Sequence, residues 1–189
     1  MEEEDYSIPK KIIEKHGFTM ERVDKNKYFA NFSIENKKIY LKKIIDFNLM
    51  QILYEINKDI FDDFKIKLID DKNVECYFLI KHFFSDFGLP QKYIHLDVEK
   101  IEDLNNNTIL FVCKNSITNA LDIPKIGEPM KYEFMLLKCK IINDHYTIIN
   151  NQIILSNDIE IPAFAEKMVG IITSKMFFKI KQFIEKIAI

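Results

Sequence analysis

His82 and Asp86 stand four residues apart, and His95 follows thirteen later. Imidazoles and a carboxylate are metal-ligand types, but a metal site needs three or four convergent, deprotonated ligands at compatible spacing. No paired cysteine motif adjoins them. The expectation is therefore no metal, with His82, Asp86 and His95 as the candidate ligands if one is held. Cys113 precedes Lys114-Asn115-Ser116 at a strand end. A nucleophilic thiol needs a base and thiolate-stabilising surroundings. The sequence identifies neither, and a strand cysteine packed in the core is the simpler reading. GxSxG, HExxH, P-loop and GxGxxG motifs are all absent. Gly17, Gly88, Gly127 and Gly170 are the four glycines, too few to build a phosphate-cradling loop readily. The residues thus name no catalytic group and no cofactor, and the expectation is a protein that is not an enzyme.

The densest cluster of side chains is residues 81–93, Lys-His-Phe-Phe-Ser-Asp-Phe-Gly-Leu-Pro-Gln-Lys-Tyr. A loop this aromatic must fold under a sheet or present an apolar surface to something else. Gly88-Leu89-Pro90 breaks any helix, so the segment reads as one turn ended by Gly88. Read as a protein-contact surface, its residues are Phe83, Phe84, Phe87, Gln91, Lys92 and Tyr93, rimmed by Lys81 and Asp86. Read structurally, the turn plugs one end of the sheet.

These residues must be positioned by the elements around them. Residues 1–7 read as a frayed acidic tail and 8–189 as one domain. Pro9–His16 reads as a short helix leaving at Gly17. Tyr28–Ile34 alternates toward a core and turns through Glu35-Asn36 into Lys38–Leu41 as a hairpin. Asp46 is a plausible N-cap for a helix from Phe47 to Lys58, with Phe47, Met50, Leu53 and Tyr54 on one face. Phe64–Ile69 and Val74–Ile80 form a hairpin around residues 70–73. Tyr93–Glu99 and Thr108–Cys113 follow as strands. Residues 115–129 form a long connection with a helical turn at 116–121. Lys131–Ile142 and His145–Ile149 make a long hairpin, and Gln152–Ser156 extends the sheet after Asn150-Asn151.

From Pro162 the apolar positions Ala165, Met168, Ile172, Met176, Ile180, Phe183 or Ile184, and Ile187 recur near a 3.6 period. The fold class is α+β: an antiparallel sheet of about eight short strands, one face covered by a long C-terminal helix, with short N-terminal helices.

The chain has 189 residues, 48% hydrophobic and 30% charged, with a formal net charge of −2. Of its 27 Lys and Arg residues, Arg22 alone is arginine, so bidentate forks for phosphate or guanine are scarce. The acidic balance argues against nucleic acid. Lysine stripes such as Lys37-Lys38 and Lys42-Lys43 around Tyr40 keep that partner as a third reading. Cys76, Cys113 and Cys139 are odd in number and sit in apolar runs. They read as buried, reduced thiols in a cytoplasmic setting. The acidic N-terminus argues against a secretory signal. No apolar run reaches membrane-spanning length. The C-terminal helix is basic and amphipathic, but its apolar stripe is needed to close the core, which disfavours a peripheral membrane role.

The run Tyr77–Tyr93, with Phe83-Phe84-Ser85-Asp86-Phe87-Gly88-Leu89-Pro90-Gln91-Lys92-Tyr93 at its heart, resembles a segment in uncharacterised proteins of large nucleocytoplasmic DNA viruses. The abundance of Ile, Lys and Asn is similar to that of their A/T-rich genomes. The resemblance implies a viral origin and action in the host cytoplasm or virion, and no activity. Two functional readings follow. The first is a binding or structural protein working through protein contacts or self-association, in a virion or virus factory. The alternative is a carrier of a small apolar ligand or lipid, because a curved sheet gripped by a long helix is similar to helix-grip lipid-binding proteins.

Overall fold

The computed structural model describes residues 8–83, 85–159 and 161–187. Ten strands form one sheet: β1 Lys10–Lys15, β2 Phe18–Asp24, β3 Lys27–Glu35, β4 Phe61–Leu68, β5 Asn73–Ile80, β6 Lys92–Asp103, β7 Thr108–Asn115, β8 Glu128–Pro129, β9 Tyr132–Asn143 and β10 Tyr146–Leu155. Helix α1 is Asn48–Ile56, and α2 is Ala163–Lys186. The strand order is β1-β2-β3-β10-β9-β7-β6-β5-β4, antiparallel throughout. The two-residue β8 joins β6 in parallel, off that path. The expected α+β class, with an antiparallel sheet under a C-terminal helix, is what the chain adopts.

One end of the chain differs from its expectation. Pro9–His16 is not a helix: Lys10–Lys15 is an edge strand paired with Phe18–Asp24. His16 and Gly17 both have positive φ, 53° and 76°, as a two-residue type I′ hairpin turn requires. Gly17 therefore marks a hairpin rather than a helix exit. Phe18 and Met20 alternate into the core, and that pairing overrides a weak local helical preference. A single early α-helix remains, α1, preceded by a 3₁₀ turn at Leu41–Lys43. Asp46 accepts from the Asn48 N–H at 2.8 Å, and the expected face of α1 packs on the core.

Two further differences have one cause. Lys38–Leu41 does not pair with β3, because β10 occupies that edge, Tyr146 facing Glu35 and Ile154 facing Lys27. Asn150-Asn151 is no turn: β10 runs straight through it, flanked on both sides by β3 and β9. Turn propensity in asparagine is a local preference, and two ladders of backbone hydrogen bonds outweigh it. Residues 116–121 likewise form no helical turn.

Alternation gives the sheet an inner and an outer face. Tyr28, Ala30, Phe32 and Ile34 on β3 point inward, and the register carries the same face through Ile149, Cys139, Phe111, Val98 and Cys76. All nine are buried. Helix α2 lies on this face over β1, β2 and β3. The Phe177 ring meets Phe32 at 4.7 Å and Phe18 at 5.7 Å. Its inward stripe runs through Ala165, Gly170, Ser174, Phe177, Ile180 and Ile184, whereas Phe183 is exposed.

Candidate functional site: the gripped inner face and its mouth

Helix α2 is held at both ends and at its middle. At its C-terminus, the buried Asn36 side chain donates to the Ile184 carbonyl at 2.6 Å and to the Ile187 carbonyl at 3.0 Å. That adds a second donor to the Ile184 carbonyl, which also takes the Ile187 N–H at 3.2 Å, and gives one to the carbonyl beyond the helix end. At its first turn, buried Glu166 accepts from Arg22 Nη1 at 3.2 Å and from the Tyr28 hydroxyl at 3.1 Å. A carboxylate there also meets the positive end of the helix dipole. Between them, Asp59 takes Lys175 and Lys179. The Lys175 and Lys179 hydrogen bonds hold its carboxyl down to about 2.

The far end of the inner face, by α2's first turn, is bounded by loops. Residues 81–83, 85–91 and 116–131 lie there, because β5, β7 and β10 all end on that side. The aromatic segment does form one turn, Ser85–Phe87, closed by Gly88 at φ 68°. The two loops are laced together. The Glu128 N–H donates to the Gln91 carbonyl at 2.8 Å, and the Met130 N–H to the Tyr93 carbonyl at 2.7 Å. Gly127 has φ 75°, and a Cβ on it would lie 2.7 Å from the Gln91 carbonyl oxygen, so glycine is required by both backbone and space. Phe87 reaches from this rim to Phe164 on α2, ring to ring at 5.1 Å. Phe87 is 60% exposed and Phe164 45%.

The residues singled out in sequence are dispersed by the fold. Phe83 is turned toward the core, and Phe84 lies outside the described residues. Gln91 donates to the Ile80 carbonyl and to Asp62, both at 2.8 Å. Lys92 pairs with Glu128 at 2.7 Å. Tyr93 lies half-buried against Tyr77 at 5.5 Å. Phe87 alone of the described members of that set is widely open. His82 contacts the Leu89 carbonyl at 2.6 Å, while His95 contacts Glu75 at 2.7 Å on the sheet's outer face. Asp86 is exposed on the rim. Among the described residues no three His, Cys, Asp or Glu groups converge as a metal site would need. Cys76, Cys113 and Cys139 are buried and unbridged. Burial pushes the thiols of Cys113 and Cys139 up to about 12, which suits packing rather than nucleophilic attack.

Sequence reasoning missed a carboxylate knot on the outer face. Glu75 is 0% exposed. Its Oε1 takes His95 at 2.7 Å and the Ser116 hydroxyl at 3.2 Å, and its Oε2 accepts from the N–H groups of Ala120 and Leu121 at 2.7 and 2.9 Å. Asp97 accepts from Ser116 at 2.7 Å and from the Ile117 N–H at 3.0 Å. Burial works against the Asp97 charge, but those bonds outweigh it and lower its pKa. The knot straps residues 116–121 over β5 and β6, so Val74–Leu79 is buried on both faces. The signal was present: a strand apolar at nearly every position is covered on two sides, and a glutamate within it must be fully hydrogen-bonded. Two surface pockets, of about 350 and 180 Å³, lie elsewhere. One is at the C-terminal end of α2, beside Asn36 and Glu185, and one is on the outer face beside Thr108 and Lys138.

Sequence comparison adds nothing to this geometry: no family model and no curated protein matches the chain. Comparison of folds does. The lipid transfer and protein localization domain of human StarD13 superposes with a TM-score of 0.69 over 94% of this chain and 89% of that one, at 10% identity. A STAR-related lipid transfer protein from Xanthomonas axonopodis gives 0.67 over 94% and 99%, at 8% identity. Human StAR-related lipid transfer protein 5 gives 0.68 over 96% and 88%, also at 8% identity. The chain has the fold of the StAR-related lipid transfer domains. At such identities the likeness is one of architecture, and no side-chain role is carried across by it. No described helix is long and apolar enough to cross a membrane.

Proposed function

We propose that this protein carries a small apolar ligand or lipid between the inner face of the sheet and α2. The observation that carries the reading is the grip itself. An apolar face continuous across the strands is clamped by one long helix, and the loop-bounded end of the clamp carries the exposed aromatic pair Phe87 and Phe164. The three similar structures are each titled as lipid transfer domains or proteins, which supports the same use of the same architecture. The alternative, a protein-contact surface on residues 83–93, is weakened by the internal engagement of Phe83, Gln91, Lys92 and Tyr93, which leaves Phe87 as its open member.

Uptake would need movement. Phe32, Phe177 and Phe18 meet beneath the middle of α2, so a ligand must displace the helix's N-terminal half or the 81–91 rim. Such lid motions are within the ordinary repertoire of loops and helices. The test is native mass spectrometry of the full chain after incubation with mixed-lipid vesicles and re-purification. One retained lipid per chain is expected. A spectrum showing the bare chain after every vesicle composition would overturn the carrier reading.

A further inference from the structure

We infer that the ligand bears a hydrogen-bond donor, a hydroxyl or amide N–H, that meets the side-chain oxygen of Asn151. This rests on the carrier reading above and names the chemistry of its cargo. Asn151 lies on β10 with Ala30 of β3 and Leu137 of β9 as its register partners. Ile149 and Ile153 flank it on the same inner face. It is 5% exposed, and its Oδ1 is buried with no hydrogen-bond partner. A buried carboxamide oxygen is costly when left without a donor. A leucine at this position would pack as its neighbours do and incur no such cost.

The oxygen accepts and cannot donate. At this oxygen a group with a proton to give is therefore favoured over a hydrocarbon or ether end. Ala30, its register partner, is the smallest inward side chain on β3, so the least bulk to displace lies beside Asn151 when α2 moves. Asn151 sits four residues from Leu155 at the mouth end of β10, about 13 Å along a strand. The donor is thus on the end of the ligand that enters first, and the apolar remainder lies toward Phe87 and Phe164.

The experiment is calorimetric titration of the full chain with dodecan-1-ol and with 1-methoxydodecane. The two probes differ chiefly in whether the oxygen carries a proton. The wild-type protein should prefer the alcohol by roughly tenfold, one well-made buried hydrogen bond. Asn151→Leu should bind the ether as before, lose the preference, and melt at the same or a higher temperature. Equal affinities in the wild type would overturn the inference while leaving the carrier reading intact, and a water already paired with Asn151 would give that result. A preference surviving in Asn151→Leu would overturn it too. So would a marked fall in the melting temperature of that variant, which would show an oxygen satisfied within the fold. If neither probe binds but native mass spectrometry finds a retained lipid lacking any O–H or N–H donor, the inference alone falls. If no ligand binds by either method, the carrier reading falls and takes the inference with it.

Discussion

The ring of Phe87 lies 5.1 Å from the ring of Phe164, tilted by 35°, and joins the 81–91 rim to the first turn of α2. An aromatic pair at this separation contributes about 0.5–1.5 kcal/mol beyond its area burial. Both rings are substantially exposed, so the lower part of that range applies. A denaturant-unfolding double-mutant cycle on Phe87→Ala and Phe164→Ala should give a coupling of about 0.5 kcal/mol. Additive single effects would show that the rings do not act as a clasp.

The Asn36 cap makes α2 dependent on the loop after β3. Its amide donates to two helix-end carbonyls, and its Oδ1 accepts from the Lys38 N–H at 2.8 Å. Asn36→Ala would remove three hydrogen bonds, although the Ile184 carbonyl keeps the Ile187 N–H, at a cost of about 1–2 kcal/mol. For a chain of this size that lowers the melting temperature by roughly 2–8 °C. Hydrogen exchange should accelerate first in residues 181–187, and exchange unchanged there would refute the capping role.

Glu75 is engaged through both oxygens. Its Oε2 faces two N–H donors, while His95 and the Ser116 hydroxyl at Oε1 can accept as well as donate, so Glu75→Ala, rather than Glu75→Gln, is the variant that undoes the knot. Without the carboxylate the Ala120 and Leu121 N–H groups lose their acceptor, at a cost of about 2–4 kcal/mol. The urea midpoint should drop sharply, and protease cleavage should appear within residues 116–124. A variant as stable as the parent would mean the strap is held by something other than the knot.

Strong acid should loosen the middle of α2. The carboxyl of Asp59 is held down to about 2, against an ordinary 3.8, by Lys175 and then Lys179. A depressed carboxylate stabilises the fold above its unfolded pKa and ceases to do so as pH falls through its folded one. The Asp59 contribution is therefore complete above about pH 5, falls progressively below pH 4 and is lost as pH passes below about 2. Solvent screens this exposed cluster, so Asp59→Asn should cost about 0.5–1 kcal/mol at pH 7. The difference in melting temperature between the two proteins should shrink below pH 4. A difference that persists to pH 2 would assign the effect to packing.

The amino-acid order alone determined the α+β class, the long terminal helix, most of the strands from Phe61 onward, the one-turn form of the aromatic loop and the burial of the three cysteines. These are local matters: periodicity of two or 3.6, glycine and proline punctuation, and apolar flanks. It misjudged Pro9–His16 locally, reading the two-residue hairpin turn at His16-Gly17 as a helix exit. It misjudged Lys38–Leu41 and Asn150-Asn151 because β10, distant in sequence, takes the edge of β3, and such a partner leaves no mark on the segment itself. The site was decided at that same long range. Phe87 meets Phe164 across 77 positions, Arg22 meets Glu166 across 144, and Glu75 gathers a loop more than 40 residues away. Asn151 reads as a turn residue in the chain and becomes a buried acceptor on the sheet's inner face, because only closure of β10 between β3 and β9 turns its side chain inward.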